Sequence, residues 1–201
     1  MDVPAEPAKL DGPSRVIFVG AMWRPENQRA AAWLVHSVWP RVREAVPDAR
    51  LVLAGDAPPA WVQQMCAVPG VEATGYVHSF DDLYRTSSVA VVPVRGSAGI
   101  KVKTLQAMAY GLPVVSTDAG AAAIASVSGD RLFAALTDDS DEFAAAIARC
   151  LNDRDHARRV GARARRWVIA HCNFDDDVAR LVRRYQTLAN SRSTAGRASM
   201  H

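Results

Sequence analysis

The stretch "GSAGIKVKTLQAMAYGLPVVST", residues 96–117, decides how this chain is read. A short apolar run, "VAVVPV" (89–94), precedes it and has the composition of a strand buried on both faces. Glycines at 96 and 99 make a loop. The spacing then predicts a helix over 100–110, closed by Gly111 and followed by Pro113 and a second apolar run, "PVVST". Strand, glycine loop, helix and strand in this order form a crossover unit, the element of a parallel sheet.

The same alternation extends in both directions. "RVIFVGAM" (15–22), "ARLVLAG" (49–55), "VEATGYV" (71–77) and a weaker "RLFAAL" (131–136) read as further strands. Helices are expected over 26–46, with a bend at Pro40, over 59–68, over 80–87, and from a cap at Ser140 to about residue 153. An arginine-rich remainder to about Asn190 reads as one or two more helices. The expected fold is α/β, a doubly wound, mostly parallel, Rossmann-like sheet with helices on both faces. Residues 1–14, with three prolines, read as a disordered leader, 15–190 as the folded domain and 191–201 as a disordered tail.

A chain of 201 residues with 49% hydrophobic and 22% charged residues suits one well-buried globular domain. Three widely spaced cysteines give neither a disulfide framework nor a zinc set, and imply a reducing, cytoplasmic setting. The net charge of +3 is uneven, with twelve arginines against five acids from Arg149 onward. No aromatic interleaving accompanies them, so nucleic acid is not an expected partner. They read first as the solvated face of C-terminal helices, with peripheral contact at the inner membrane face as the second reading.

Parallel sheets of this kind bind ligands outside the carboxyl ends of their strands, so the loops after strands carry the chemistry. In the central motif, the glycines leave amides unobstructed and the helix start favours an anion. Lys101 in the first turn and Arg95 at the strand end are the cations that phosphate oxygens require. Lys103 and Gln106 lie three residues apart on one helix face, and an amide at 106 can both donate to and accept from sugar hydroxyls. Asp118 reads either as a crevice residue or as a turn residue bonding its own backbone. Trp23 reads as edge packing or as a ligand wall, and His78 follows the third strand at the ligand edge. The phosphate-loop spacing G-x-x-x-x-G-K-[ST] and the dinucleotide fingerprint G-x-G-x-x-G after the first strand are both absent. No metal set and no cofactor are expected.

The central motif resembles the donor-binding segment of retaining GT-B glycosyltransferases of family 4, also called group 1, whose run is G-x-G-x-K-x-K-x-L-E-A-M-A-x-G-x-P-V-V-x-T. "FVGAMWRPENQRAAAWL" and "GYVHSFDDLYRTSSVAVVPV" agree in order. The likeness covers roughly 15–187 and corresponds to the C-terminal, nucleotide-sugar-binding half of such an enzyme. It implies a nucleoside-diphosphate sugar as ligand, with uridine or guanosine as base, and sugar transfer with retention. It implies that Gly20 lets the backbone approach the diphosphate, and that Arg24 and Lys101 stabilise its charge. The amides of Gly99 and Ile100 stand beside them, Gly75 to Val77 flank the base, and Gln106, near Lys103, takes the place of a ribose-binding glutamate.

Two departures bear on activity. The family's paired glutamates, separated by seven residues, are here Ala98 and Gln106, and Asn27 stands in a region where a lysine is common. The acceptor half is expected on a separate chain or domain, leaving this chain inactive by itself. The alternative is a regulatory module that binds a nucleotide sugar without transferring it.

Overall fold

The computed structural model describes residues 3–56, 60–96, 102–128 and 130–172. Six strands form one sheet: β1 Arg15–Val19, β2 Arg50–Ala54, β3 Val71–Gly75, β4 Val89–Val92, β5 Val114–Ser116 and β6 Ala135–Leu136. Their spatial order is β3-β2-β1-β4-β5-β6 and every pairing is parallel. This is the expected doubly wound α/β sheet. Helices on both faces bury it, which is why β1, β2 and β4 are continuous apolar runs without alternation.

The helices are α1 Pro25–Trp33, α2 Trp39–Ala45, α3 Ala60–Met65, α4 Asp81–Arg85, α5 Val102–Ala109, α6 Asp118–Ser128, α7 Ser140–Asn152 and α8 Arg154–His171. Between α1 and α2 the chain widens into a π-helical turn, Leu34–Val38. The amide of Trp39 donates to Leu34 O, five residues back. Pro40 has no N–H for the carbonyl four residues earlier, and its ring would crowd it, so the helix opens one turn ahead of the proline. The bend expected at Pro40 takes this form. Trp39 itself is fully buried, and its indole N–H donates to Pro69 O at 3.1 Å.

Four local expectations need correcting. The cap of α7 is Asp139 rather than Ser140: its carboxylate accepts from the amides of Asp141 and Glu142 at 2.8 and 2.9 Å. Residues 131–136 hold only a two-residue strand, preceded by a 3-10 turn, Asp130–Leu132. Residues 118–128 form a helix where the sequence suggested only a loop. Its Gly120 is needed for contact, since a Cβ there would lie 2.5 Å from Ser116 Oγ and 2.6 Å from Val92 O.

The fourth correction concerns the leader. Residues 3–14 are packed, not disordered. Leu10 is buried, and the Ala8 amide donates to Tyr110 O at 2.7 Å. Arginines of α8, expected on a solvated face, hold the segment down. Arg165 donates to Pro4 O at 2.5 Å and also to Ala109 O, Arg154 donates to Gly12 O at 3.3 Å, and Arg158 pairs with Asp11. Proline-rich backbone that cannot enter a sheet is satisfied here by guanidinium donors. The 191–201 tail lies outside the described residues. Among the described residues, no helix is long and apolar enough to cross a membrane.

Candidate functional site

Adjacent strands β1 and β4 lead to helices on opposite sides of the strand order, so the sheet's switch point lies between them. Beside it, the carboxyl ends of β1, β2 and β3 and the start of α5 frame a cleft of about 350 Å³. Gly20, Asp56, Tyr76, Val77, Phe80 and Lys103 are among its lining residues.

The floor is built by backbone approach. The Gly20 amide donates to Ala54 O at 2.9 Å, and a Cβ on Gly55 would lie 1.7 Å from Gly20 O. No side chain fits at 55. Gly20 is covered on its other side, since a Cβ there would lie 2.9 Å from Asn27 Cγ. Gly75, at φ 64, ends β3 with a left-handed turn that only glycine adopts cheaply. That turn sends Tyr76, 70% exposed, and the half-buried Val77 to the cleft wall.

Lys103, in the first turn of α5, is half-buried at the same cleft. Its ammonium donates to Asn27 Oδ1 at 3.0 Å and lies 4.8 Å from the ring centroid of buried Phe18. The amide oxygen and the aromatic face hold the ammonium at the mouth of the strands.

The structure thus brings together Gly20, Gly75, Val77 and Lys103 of the expected set. It separates others from them. Arg24 caps the start of α1 from an exposed position, 5.1 Å from the ring of Trp23 and 3.6 Å from the Glu26 carboxylate, and is not among the described lining residues. Trp23 is 57% exposed, so it is neither core nor edge packing. Arg95 lies 4.4 Å over the Trp33 ring and donates to Asp138 O, which turns its fork toward the start of α7. Asp118 is exposed at the start of α6, where the Thr117 hydroxyl, not Asp118, accepts from the Gly120 amide at 3.2 Å. His78 is exposed and outside the described lining. Gly99, Ile100 and Lys101 lie outside the described residues.

Gln106 faces a second groove of about 370 Å³, with Val3, Pro4, Asp81, Arg85 and Tyr110. There the Tyr110 hydroxyl donates to the Asp81 carboxylate, and Arg85 lies 5.5 Å over its ring. Burial and the bond to Asp81 push the Tyr110 hydroxyl up to about pKa 12. Tyr84 stacks on it at 5.1 Å, and burial raises its own pKa further. These phenols stay protonated at neutral pH and act as packing.

Asp56, Phe80 and Gly55 were not singled out from the sequence, and Tyr76 entered only within the stretch Gly75 to Val77. The available signal was their position, in glycine-marked loops just after β2 and β3.

Comparison with known proteins agrees with this fold. The model of the family described as glycosyl transferases group 1 matches residues 13–153. An uncharacterised 44.6 kDa protein from the cps region of Klebsiella pneumoniae is 28% identical over 125 residues, 58% of this chain and 32% of that protein. The chain thus matches about a third of that relative's length. A TarM mutant of S. aureus, crystallised with fondaparinux, alpha-GlcNAc-glycerol and UDP, superposes with a TM-score of 0.74 at 14% identity, over 91% of this chain and 37% of TarM. The C-terminal domain of the group 1 protein LpcC from Francisella tularensis superposes with a TM-score of 0.60 at 18% identity, over 84% of this chain and 89% of that domain. The chain has the fold of GT-B glycosyltransferases, and it belongs to the glycosyl transferases group 1 family.

Proposed function

We propose that this chain is the donor-binding half of a glycosyltransferase, and that its cleft holds the diphosphate of a nucleoside-diphosphate sugar. One observation carries this reading: Lys103 lines the cleft at the carboxyl ends of β1 to β3, with its ammonium between Asn27 and the Phe18 ring. A cation there, beside closely approaching glycine backbone at 20 and 55, matches an anion with closely spaced oxygens. Tyr76 and Val77 supply an apolar wall for a base, and UDP is a ligand of the similar TarM mutant. Transfer with retention would draw on Lys103 and Lys101 to stabilise the departing diphosphate. That is electrostatic catalysis, which needs no protein nucleophile. Asp118 remains a candidate for the donor sugar, whereas Gln106 lines the second groove. The acceptor would be held by a separate domain or chain.

Calorimetry of the 201-residue chain with UDP and with GDP tests this. Lys103→Met is expected to weaken the tighter ligand by about 1.5–3 kcal/mol, the range for a hydrogen bond to a charged group. Absence of binding by the unmodified chain, or equal binding by Lys103→Met and Lys101→Ala, would sink the assignment.

A second reading, binding without transfer, is favoured by Ala98 and Gln106 in the two family carboxylate positions. Donor hydrolysis by the purified chain would count against it.

A further inference from the structure

We infer that Asn27 is a positioning residue for the diphosphate site, acting through Lys103; this rests on the nucleotide reading above. Asn27 is only 5% exposed, and both ends of its side-chain amide are engaged. Nδ2 donates to Ala21 O at 2.9 Å, and Oδ1 accepts from Lys103 Nζ at 3.0 Å. The first bond fixes the second. A carbonyl can only accept, so the NH₂ end must face Ala21 and the oxygen end must face Lys103. The backbone fixes the amide further, because Asn27 sits in the first turn of α1 and its own N–H donates to Arg24 O at 3.1 Å.

One buried side chain therefore ties the loop after β1, the start of α1 and the start of α5, across 76 residues of sequence. It also covers Gly20, where a Cβ would lie 2.9 Å from Asn27 Cγ. The backbone at 20 and the cation at 103 thus adjoin the same group. Residue type matters for charge as well as shape. Asparagine holds the ammonium with a neutral oxygen, so this contact does not itself neutralise it. Aspartate would have nearly the same outline, but it would neutralise Lys103 and set a carboxylate against the Ala21 carbonyl.

The test uses the whole chain, with UDP and uridine, or GDP and guanosine if those bind more tightly. Asn27→Asp is expected to weaken the diphosphate at least about tenfold and to leave the nucleoside within about twofold, since the nucleoside has no phosphate for Lys103 to meet. Asn27→Ser, which shortens the side chain without adding charge, is expected to weaken the diphosphate several-fold, and it carries the test if Asn27→Asp does not fold. In a Lys103→Met background, either Asn27 substitution should have little further effect, because the two residues act as one unit. Thermal melting confirms folding of each variant. Equal diphosphate binding by folded Asn27 variants overturns the proposal, as does an undiminished effect of Asn27 substitution in Lys103→Met. Failure of the unmodified chain to bind either diphosphate is a different result, which removes the nucleotide reading on which the proposal stands.

Discussion

A Cβ added to Gly161 would lie 1.9 Å from the carbonyl oxygen of Gly111. Helix α8 therefore rests backbone to backbone on the turn that ends α5, the helix carrying Lys103 and Gln106. Gly111 is itself left-handed at φ 73, and Pro7 of the leader packs on it, 3.1 Å from the position of a Cβ. Three segments far apart in sequence meet at two glycines, behind the cleft.

Gly161→Ala is expected to destabilise the protein by about 3 kcal/mol, because the obstacle is backbone and cannot rotate away. Gly111→Ala is expected to cost about 1–2 kcal/mol, from the left-handed conformation. Urea unfolding of each variant measures both, and a smaller loss for Gly161→Ala than for Gly111→Ala would show that α8 shifts freely.

The packed leader makes a similar prediction. Leu10 is 4% exposed against the core. Leu10→Ala is expected to lower stability by about 2 kcal/mol, at the lower end for a buried leucine because this segment can relax outward. No change in the urea midpoint would mean that the leader contributes no core contact.

Acid sensitivity follows from two helix caps. The carboxylates of Asp139 and Asp153 accept backbone amides at the starts of α7 and α8, and these bonds hold both pKa values below the ordinary aspartate value. A pKa lowered by folding means that the unfolded chain binds the proton more readily. The caps therefore stabilise fully above about pH 4–5, and that contribution is lost as pH falls through the folded values. Asp139→Asn keeps an acceptor oxygen without a titrating group, so its stability is expected to fall less between pH 5 and pH 3 than that of the unmodified chain. Parallel thermal melts across that range measure the difference, and identical slopes would contradict it.

Gln106→Glu discriminates between the two grooves. Gln106 lines the groove with Asp81 and is not among the described residues lining the Lys103 cleft. The expected outcome is a change in UDP affinity of less than about threefold, an energy under about 0.7 kcal/mol. A larger gain that disappears with 2′,3′-dideoxy-UDP would place residue 106 on the ribose.

The sequence by itself determined the layering of this protein. Apolar runs at 15–19, 50–54 and 89–92, each followed by a glycine-marked loop or a helix, allow little but a parallel sheet covered on both faces, because such strands have no polar side to show to water. It also pointed to Gly20, Val77 and Lys103, which the structure groups around one cleft at strand carboxyl ends. The tertiary structure decided which cations meet there. Arg95 looked like a phosphate ligand from its place after β4, but the Trp33 ring and the Asp138 carbonyl, which come from other elements, take it away. Asn27 looked like the loss of a lysine, yet it anchors Lys103 from 76 residues away. The leader looked unstructured because its prolines have no periodicity, and α8, distant in sequence, supplies guanidinium donors that hold it. Helical and strand periodicity are local properties of a chain. The partner of a charged or amide side chain is set by long-range packing, which no short window of sequence contains.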